Sequence, residues 1–413
     1  MNPIETIKLD NGLTIYLYKD NRKHSTFFEI NTFCGGYTKD FIYKGCEYHI
    51  QDGVAHMLEH YLVECNDKGN FLDLLGEKQM STNASTSAVS TNYYFETVED
   101  VEFGIKTVLD GMYHVSFTQE KLDKLKGPIY QEVRGKQDMK SYHASHRRYA
   151  NLFHNLKFRD IGGSLEEIEE TTSDDLEILY KAFYHPKNQF IAIAGNFDKD
   201  KIINCIKEFY DTLTFEEYDT KLIPLNESKD IVKKEDSFNF EVPMDYTEVD
   251  FKIDLSNYNS KELLDLDFYL GTYLNHSIGI TSSMYQDLIN RGIIHDPISF
   301  VRVQVDNYLM IIVGGYTTDM KVLREEIIKA ICGVNNFNKE KYEIDRDQAI
   351  LQISLREESI FKMIIPFVNN VVYYNYPHVD TVLDVKNMTF EKYVKEIQKI
   401  DFSHYSYLSI TKK

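Results

Sequence analysis

Long apolar runs are absent from this sequence. No stretch of about 18 consecutive apolar residues occurs, so no segment reads as a membrane-spanning helix. Positive charge is in short supply: 46 Lys and Arg stand against 65 Asp and Glu, a formal net charge of −19. That balance would repel a phosphate backbone, which argues against nucleic acid as a partner. It suits solubility, and an acidic cavity would draw cationic peptides. Cysteine is sparse. Cys34, Cys46, Cys65, Cys205 and Cys332 are odd in number, scattered and never spaced Cys-x-x-Cys, which points to reduced thiols in a cytoplasmic protein. The first residues lack a basic stretch followed by an apolar one, so no secretory signal is expected. Neither Gly162–Gly163 nor Gly314–Gly315 is followed by Gly-Lys-Ser/Thr, which removes the phosphate loop.

What is present is a chain of 413 residues, 43% hydrophobic and 27% charged: a folded protein, long enough for two domains of about 200 residues. Alternation over residues 4–18 around Asp10-Asn11-Gly12 predicts a hairpin, and residues 26–34 a third strand. A loop carrying Lys44–Glu47 then leads to Gly53. A short helix is expected over 68–76, two strands over 79–97, and helices over 98–114, 118–139, 172–184 and 198–210. A buried strand lies at Phe190–Ala194. The polar, mixed stretch 216–240 reads as a linker. Beyond it the pattern repeats at offsets of 215 to 220. Phe117–Lys121 matches Phe337–Lys341, Tyr94–Phe95 matches the strand from Leu309, and Gly76 matches Gly292. The expectation is an α+β protein of two homologous domains, residues 1–215 and 241–413, each a mainly antiparallel sheet with helices packed on one face.

Residues 52–64 contain the pattern H-x-x-E-H: His56, Glu59 and His60. On a helix, residues four apart share a face, so the two imidazoles point the same way and can grip one Zn²⁺ ion, with Glu59 beside them. A polar helical face that carries two histidines by accident is the plain alternative, at a chance rate on the order of a few per cent. A tetrahedral catalytic zinc needs a third protein ligand. The candidate is an acidic residue on a nearby helix, and Glu132 within Pro128–Arg134 is taken for it. In the second copy Tyr269–Tyr273 occupies the place of the metal helix and has no histidine pair. His143 and His146 form a second H-x-x-H, but Arg147 and Arg148 follow, and adjacent cations favour a solvated helix face over a metal site. Glu64, one turn after His60, sits on the same helix, and four ligands from one helix cannot surround a metal tetrahedrally.

Asp52–His60, Thr82–Ala84, Ile129–Glu132, and Phe183–Pro186 before Phe190–Gly195 together resemble the pitrilysin/insulysin family of zinc metallopeptidases, the inverted zincins, in their short bacterial form. The resemblance is clearest over residues 30–200. It implies zinc held by His56, His60 and Glu132, Glu59 as general base, and an edge strand at Asn83 and Ala84 that a peptide joins. It also implies substrate contacts from Arg291 and, where Tyr is usual, His295. Leu125 stands where a supporting Glu is common, which would remove a partner of the ligand set. The implied activity is zinc-dependent endoproteolysis of unfolded peptides or small peptide precursors. Two domains are half of the family's closed chamber, so a homodimer, or a heterodimer with a related subunit, is expected. The alternative is a non-catalytic or weakly active partner subunit of a heterodimeric peptidase.

Overall fold

The computed structural model describes residues 4–335, 337–356 and 358–413. Residues 1–3, which open the stretch read for a secretory signal, lie outside them. Contacts divide the chain into two units. The first comprises residues 1–137, 159–224 and 355–373; the second comprises 138–158, 225–354 and 374–413. Each unit thus takes one segment from the far half of the sequence, which no reading by position anticipates. Their border at 224/225 falls inside the stretch expected as a linker.

The first unit is built on a sheet whose strands run in the order Glu5–Lys8, Thr14–Lys19, Gln189–Gly195, Thr26–Thr32, Thr91–Thr97, Ser81–Thr86. The expected hairpin is present, with Glu5 opposite Leu17. The pairs are antiparallel except Thr14–Lys19 with Gln189–Gly195. Period-two alternation sends Ile15, Leu17, Phe28 and Ile30 to a core shared with the helices Val54–Glu64, Val101–Tyr113, Gln119–Gln137, Ser173–Phe183 and Lys199–Tyr210. Thr172 caps the fourth of these helices in a reciprocal box with Asp175. The opposite sheet face is covered as well: Tyr16 meets Phe367, and Phe27 meets Phe361, both from the helix Ile360–Tyr374. Residues 40–49, expected as a loop, form a small hairpin of Asp40–Tyr43 with Cys46–His49. Its two-residue turn has φ 50° at Lys44 and 76° at Gly45, the left-handed pair that matches strand twist.

The second unit repeats the plan. Its strand order is Glu235–Phe240, Tyr405–Lys412, Tyr246–Asp254, Tyr308–Tyr316, Ser299–Val305, with the first pair parallel and the rest antiparallel. The pairing senses follow those of the first sheet strand for strand from Thr14–Lys19 onward, the likeness of plan that a duplication would leave. The helix Ser260–Ile278 takes the place of Val54–Glu64 and buries Tyr269 and Tyr273 where the first unit has imidazoles. The other face of this sheet carries the helix Lys140–Leu152 through Ala144, Val242, Leu408 and Ile410. Its His143 and His146 are exposed, but the expectation of a solvated helix face fails at Arg148. That side chain is buried and ion-paired with Glu248 at 2.6 Å and Asp250 at 3.3 Å. The run of cations served packing against a buried acidic strand, which its own neighbours could not reveal.

Candidate metal centre

The helix Val54–Glu64 is buried almost all round, as a central core helix should be. It begins at Gly53, whose φ of 85° lies in the left-handed region, and a Cβ there would stand 2.6 Å from the Gly162 carbonyl oxygen. Only glycine allows the helix to start this close to the 160–163 turn. His56 and His60 then lie one turn apart with their rings edge to face, centroids 4.7 Å apart. Their Nε2 atoms lie 3.8 and 3.9 Å from Glu132 Oε2, which the helix Gln119–Gln137 delivers from across the core. The donor atoms of the three residues lie within 4.8 Å of one another, and among the described residues no other group of His, Cys, Asp or Glu meets this test. Tetrahedral zinc with ligands about 2.0–2.1 Å away sets donors about 3.3–3.4 Å apart. The two histidine–carboxylate distances exceed that by about half an ångström, and no pair of donors exceeds it by more than about 1.5 Å.

The electrostatics suit a cation. Burial, reinforced by the neighbouring His60, pushes the His56 imidazole down to about 4, so it stays neutral and keeps a lone pair. Its Nδ1 is buried without a hydrogen-bond partner, and its Nε2 faces the carboxylate. His60 Nδ1 lies 3.2 Å from Glu64 Oε1; carried as N–H it donates there and leaves Nε2 free as a ligand atom. Burial favours the neutral form of Glu132, but the hydrogen bond and the charge of Lys136 oppose it, and the group is held below its ordinary value. Lys136 Nζ donates to Glu132 Oε1 at 2.8 Å, which turns Oε2 to the histidines. Glu59 is 7% exposed, and burial raises its pKa against the opposing hydrogen bond from Thr86 and charge of His60. Its Oε2 accepts from Thr86 Oγ1 at 2.6 Å.

These residues open into a cleft of about 470 Å³, lined also by Val63, Leu72, Asn83, Ala84 and Ile161. Asn83 and Ala84 lie on Ser81–Thr86, the edge strand of the sheet. The Ala84 N–H is occupied by Asn83 Oδ1 at 2.9 Å, so the free edge is partly capped by its own side chain. Arg291 and His295 belong to the second unit, where Arg291 pairs with Asp287 at 2.8 Å and Glu326 at 3.5 Å, and His295 is exposed on a loop. Leu125 is a core residue, and Glu132 draws its support from Lys136 instead. Thr86, Lys136 and the supporting place of Glu64 escaped the sequence. Only the i, i+4 spacings of Glu64 and Lys136 from His60 and Glu132 could have signalled two of them.

A two-domain α+β fold, with an H-x-x-E-H helix in one copy and an aromatic helix in the other, matches the arrangement that the resemblance to the inverted zincins implies. A family profile described as the peptidase M16 inactive domain matches residues 170–351. That span begins after Glu132 and contains none of the four residues gathered here. The chain is 28% identical over 348 residues to the uncharacterized zinc protease YmfH of Bacillus subtilis, covering 83% of this chain and 81% of that one. It is 23% identical over 181 residues to the zinc protease PqqE of Helicobacter pylori, 42% of this chain and 40% of the other. A crystal structure described as an M16-like peptidase from Alicyclobacillus acidocaldarius superimposes with a TM-score of 0.89 at 24% identity, over 100% of this chain and 98% of that one. Pitrilysin superimposes with a TM-score of 0.75 at 15% identity, over 100% of this chain and 45% of its own. These likenesses are all to the M16 family, in its short bacterial form.

Proposed function

We propose that this protein is a zinc-dependent metalloendopeptidase acting on unfolded peptides or small peptide precursors. One observation carries the reading: His56, His60 and Glu132 converge within 4.8 Å, and the buried carboxylate of Glu59 lines the same cleft. The zinc proteases named among its relatives support it. When bound, zinc supplies Lewis acidity and a positive charge that makes water easier to deprotonate. Glu59 takes the proton of the attacking water and returns it to the leaving amine. Burial helps, because it gives the carboxylate more proton affinity than a solvated one has. The peptide joins the edge strand at Asn83 and Ala84, taking over the Ala84 N–H from Asn83 Oδ1. Backbone pairing selects little by sequence, so chamber size and charge do most of the choosing. Arg291 and His295 are assigned to hold substrate, in a chamber closed by a second subunit, identical or related. No described helix is long and apolar enough to cross a membrane. A cytoplasmic site of action completes the proposal, in keeping with five free cysteines.

The test pairs zinc analysis with cleavage of quenched peptides by wild type and Glu59→Gln. Both proteins should carry stoichiometric zinc, and only wild type should cleave, with the variant down about a hundredfold to ten-thousandfold. Wild type and variant equally inert on all peptides, alone and with a homologous partner, would leave a non-catalytic subunit as the surviving reading.

A further inference from the structure

Glu59 must take up a proton and release it at every turnover, which demands that the carboxylate keep one orientation while its charge changes. The surroundings of its second oxygen bear on this. Oε2 accepts from Thr86 Oγ1 at 2.6 Å. Behind Thr86, Thr91 Oγ1 lies 3.2 Å away, and Thr91 itself donates to the Cys34 carbonyl at 2.8 Å. Thr91 and Cys34 are fully buried, so no solvent competes for the bond between them. A hydroxyl has one proton to give. With that of Thr91 spent on the carbonyl, Thr86 keeps its own for Glu59. Oε2 is thereby engaged, and Oε1 is the oxygen left to take the proton of a water in the cleft. Thr86 is also two residues beyond Ala84 on the edge strand and sits opposite Thr91 in the ladder. Ala84 and Thr86 point to the same side of the sheet, since strand side chains alternate. One stiff element therefore presents the edge for the peptide backbone and the hydroxyl that aims the base.

We propose that Thr86, backed by Thr91, is a positioning residue for Glu59, fixing the oxygen of the base that exchanges the proton and tying the base to the strand that holds the substrate. This deepens the peptidase reading and rests on it. The experiment compares wild type, T86V and T86S for kcat and KM on a quenched peptide, and for zinc affinity by chelator competition. It adds the denaturation midpoints of metal-free T86V, E59A and the double variant. T86V removes the hydroxyl at nearly constant shape and should lower kcat about tenfold to a hundredfold, with KM and zinc affinity within about twofold. T86S restores the hydroxyl and should recover most of kcat. The metal-free midpoints should be non-additive, because both single variants break the same bond. A T86V enzyme with wild-type kcat, T86S as slow as T86V, or additive midpoints would overturn the proposal while an active wild type left the peptidase reading standing. A zinc-loaded wild type inert on every peptide would overturn both.

Discussion

Glu29 and Glu59 are buried carboxylates of one domain with different surroundings. Glu59 faces the histidines and a hydroxyl donor. Glu29 lies on the opposite sheet face, where its Oε1 accepts from Asn31 Nδ2 at 3.0 Å and Asn92 Nδ2 at 2.7 Å. Complete burial outweighs both bonds and pushes it up to about 7. The unfolded chain releases this proton near pH ~4.3. Between there and about 7 the folded protein holds a proton that the unfolded one has lost, so stability falls as pH rises through that window and stays lower above it. Glu29→Gln removes the charge and offers an amide to the unpartnered Asn31 Oδ1. It should raise the thermal midpoint at pH 8 and leave it nearly unchanged at pH 4, read by scanning calorimetry. Glu64 acts through His60. Glu64→Ala should weaken zinc binding about tenfold to a hundredfold, as chelator competition would record, while the fold melts as before.

The elements make sharper demands. The metal helix starts against the 160–163 turn, so Gly53→Ala must both hold a left-handed φ and push its methyl away from the Gly162 carbonyl. A cost of about 1–3 kcal/mol is expected in denaturant unfolding, together with weaker zinc binding, because His56 lies three residues from the strain. The helix Lys140–Leu152 is pinned by Arg148, whose guanidinium joins the buried Glu248 and Asp250. Arg148→Met leaves two acidic groups without their cation and should cost about 3–5 kcal/mol in the same measurement.

At the scale of the whole molecule, the two sequence halves are not the two packing units. Helix Ile360–Tyr374 covers Tyr16 and Phe27 of the first sheet, and helix Lys140–Leu152 covers the second. Residues 1–215 expressed alone would therefore expose an aromatic sheet face and should aggregate or bind hydrophobic dyes, whereas the full chain stays soluble. The closed chamber of the proposed peptidase asks for a second subunit. Light scattering should return a dimer for the active species, and a strict monomer that still cleaves peptides would refute that part.

Much of this is legible in the sequence because it is local. His56, Glu59 and His60 share a face through helix geometry alone. The hairpin at Asp10–Gly12, the capped helix at Thr172 and the buried strand at Phe190–Ala194 are fixed by residues within a few positions of one another. The repeat at offsets of 215 to 220 reached further, since duplicated local patterns stay visible when their contacts do not. Tertiary structure decided the rest. Thr86 meets Glu59 across 27 residues of chain, and Arg148 meets Glu248 across 100. Nothing in a short window distinguishes that threonine from other strand hydroxyls, or that arginine from a solvated one. Which surface each side chain faces is set by how helices and sheets pack. So it was packing that gathered His56, His60 and Glu132 with their supports and exchanged a helix between the halves.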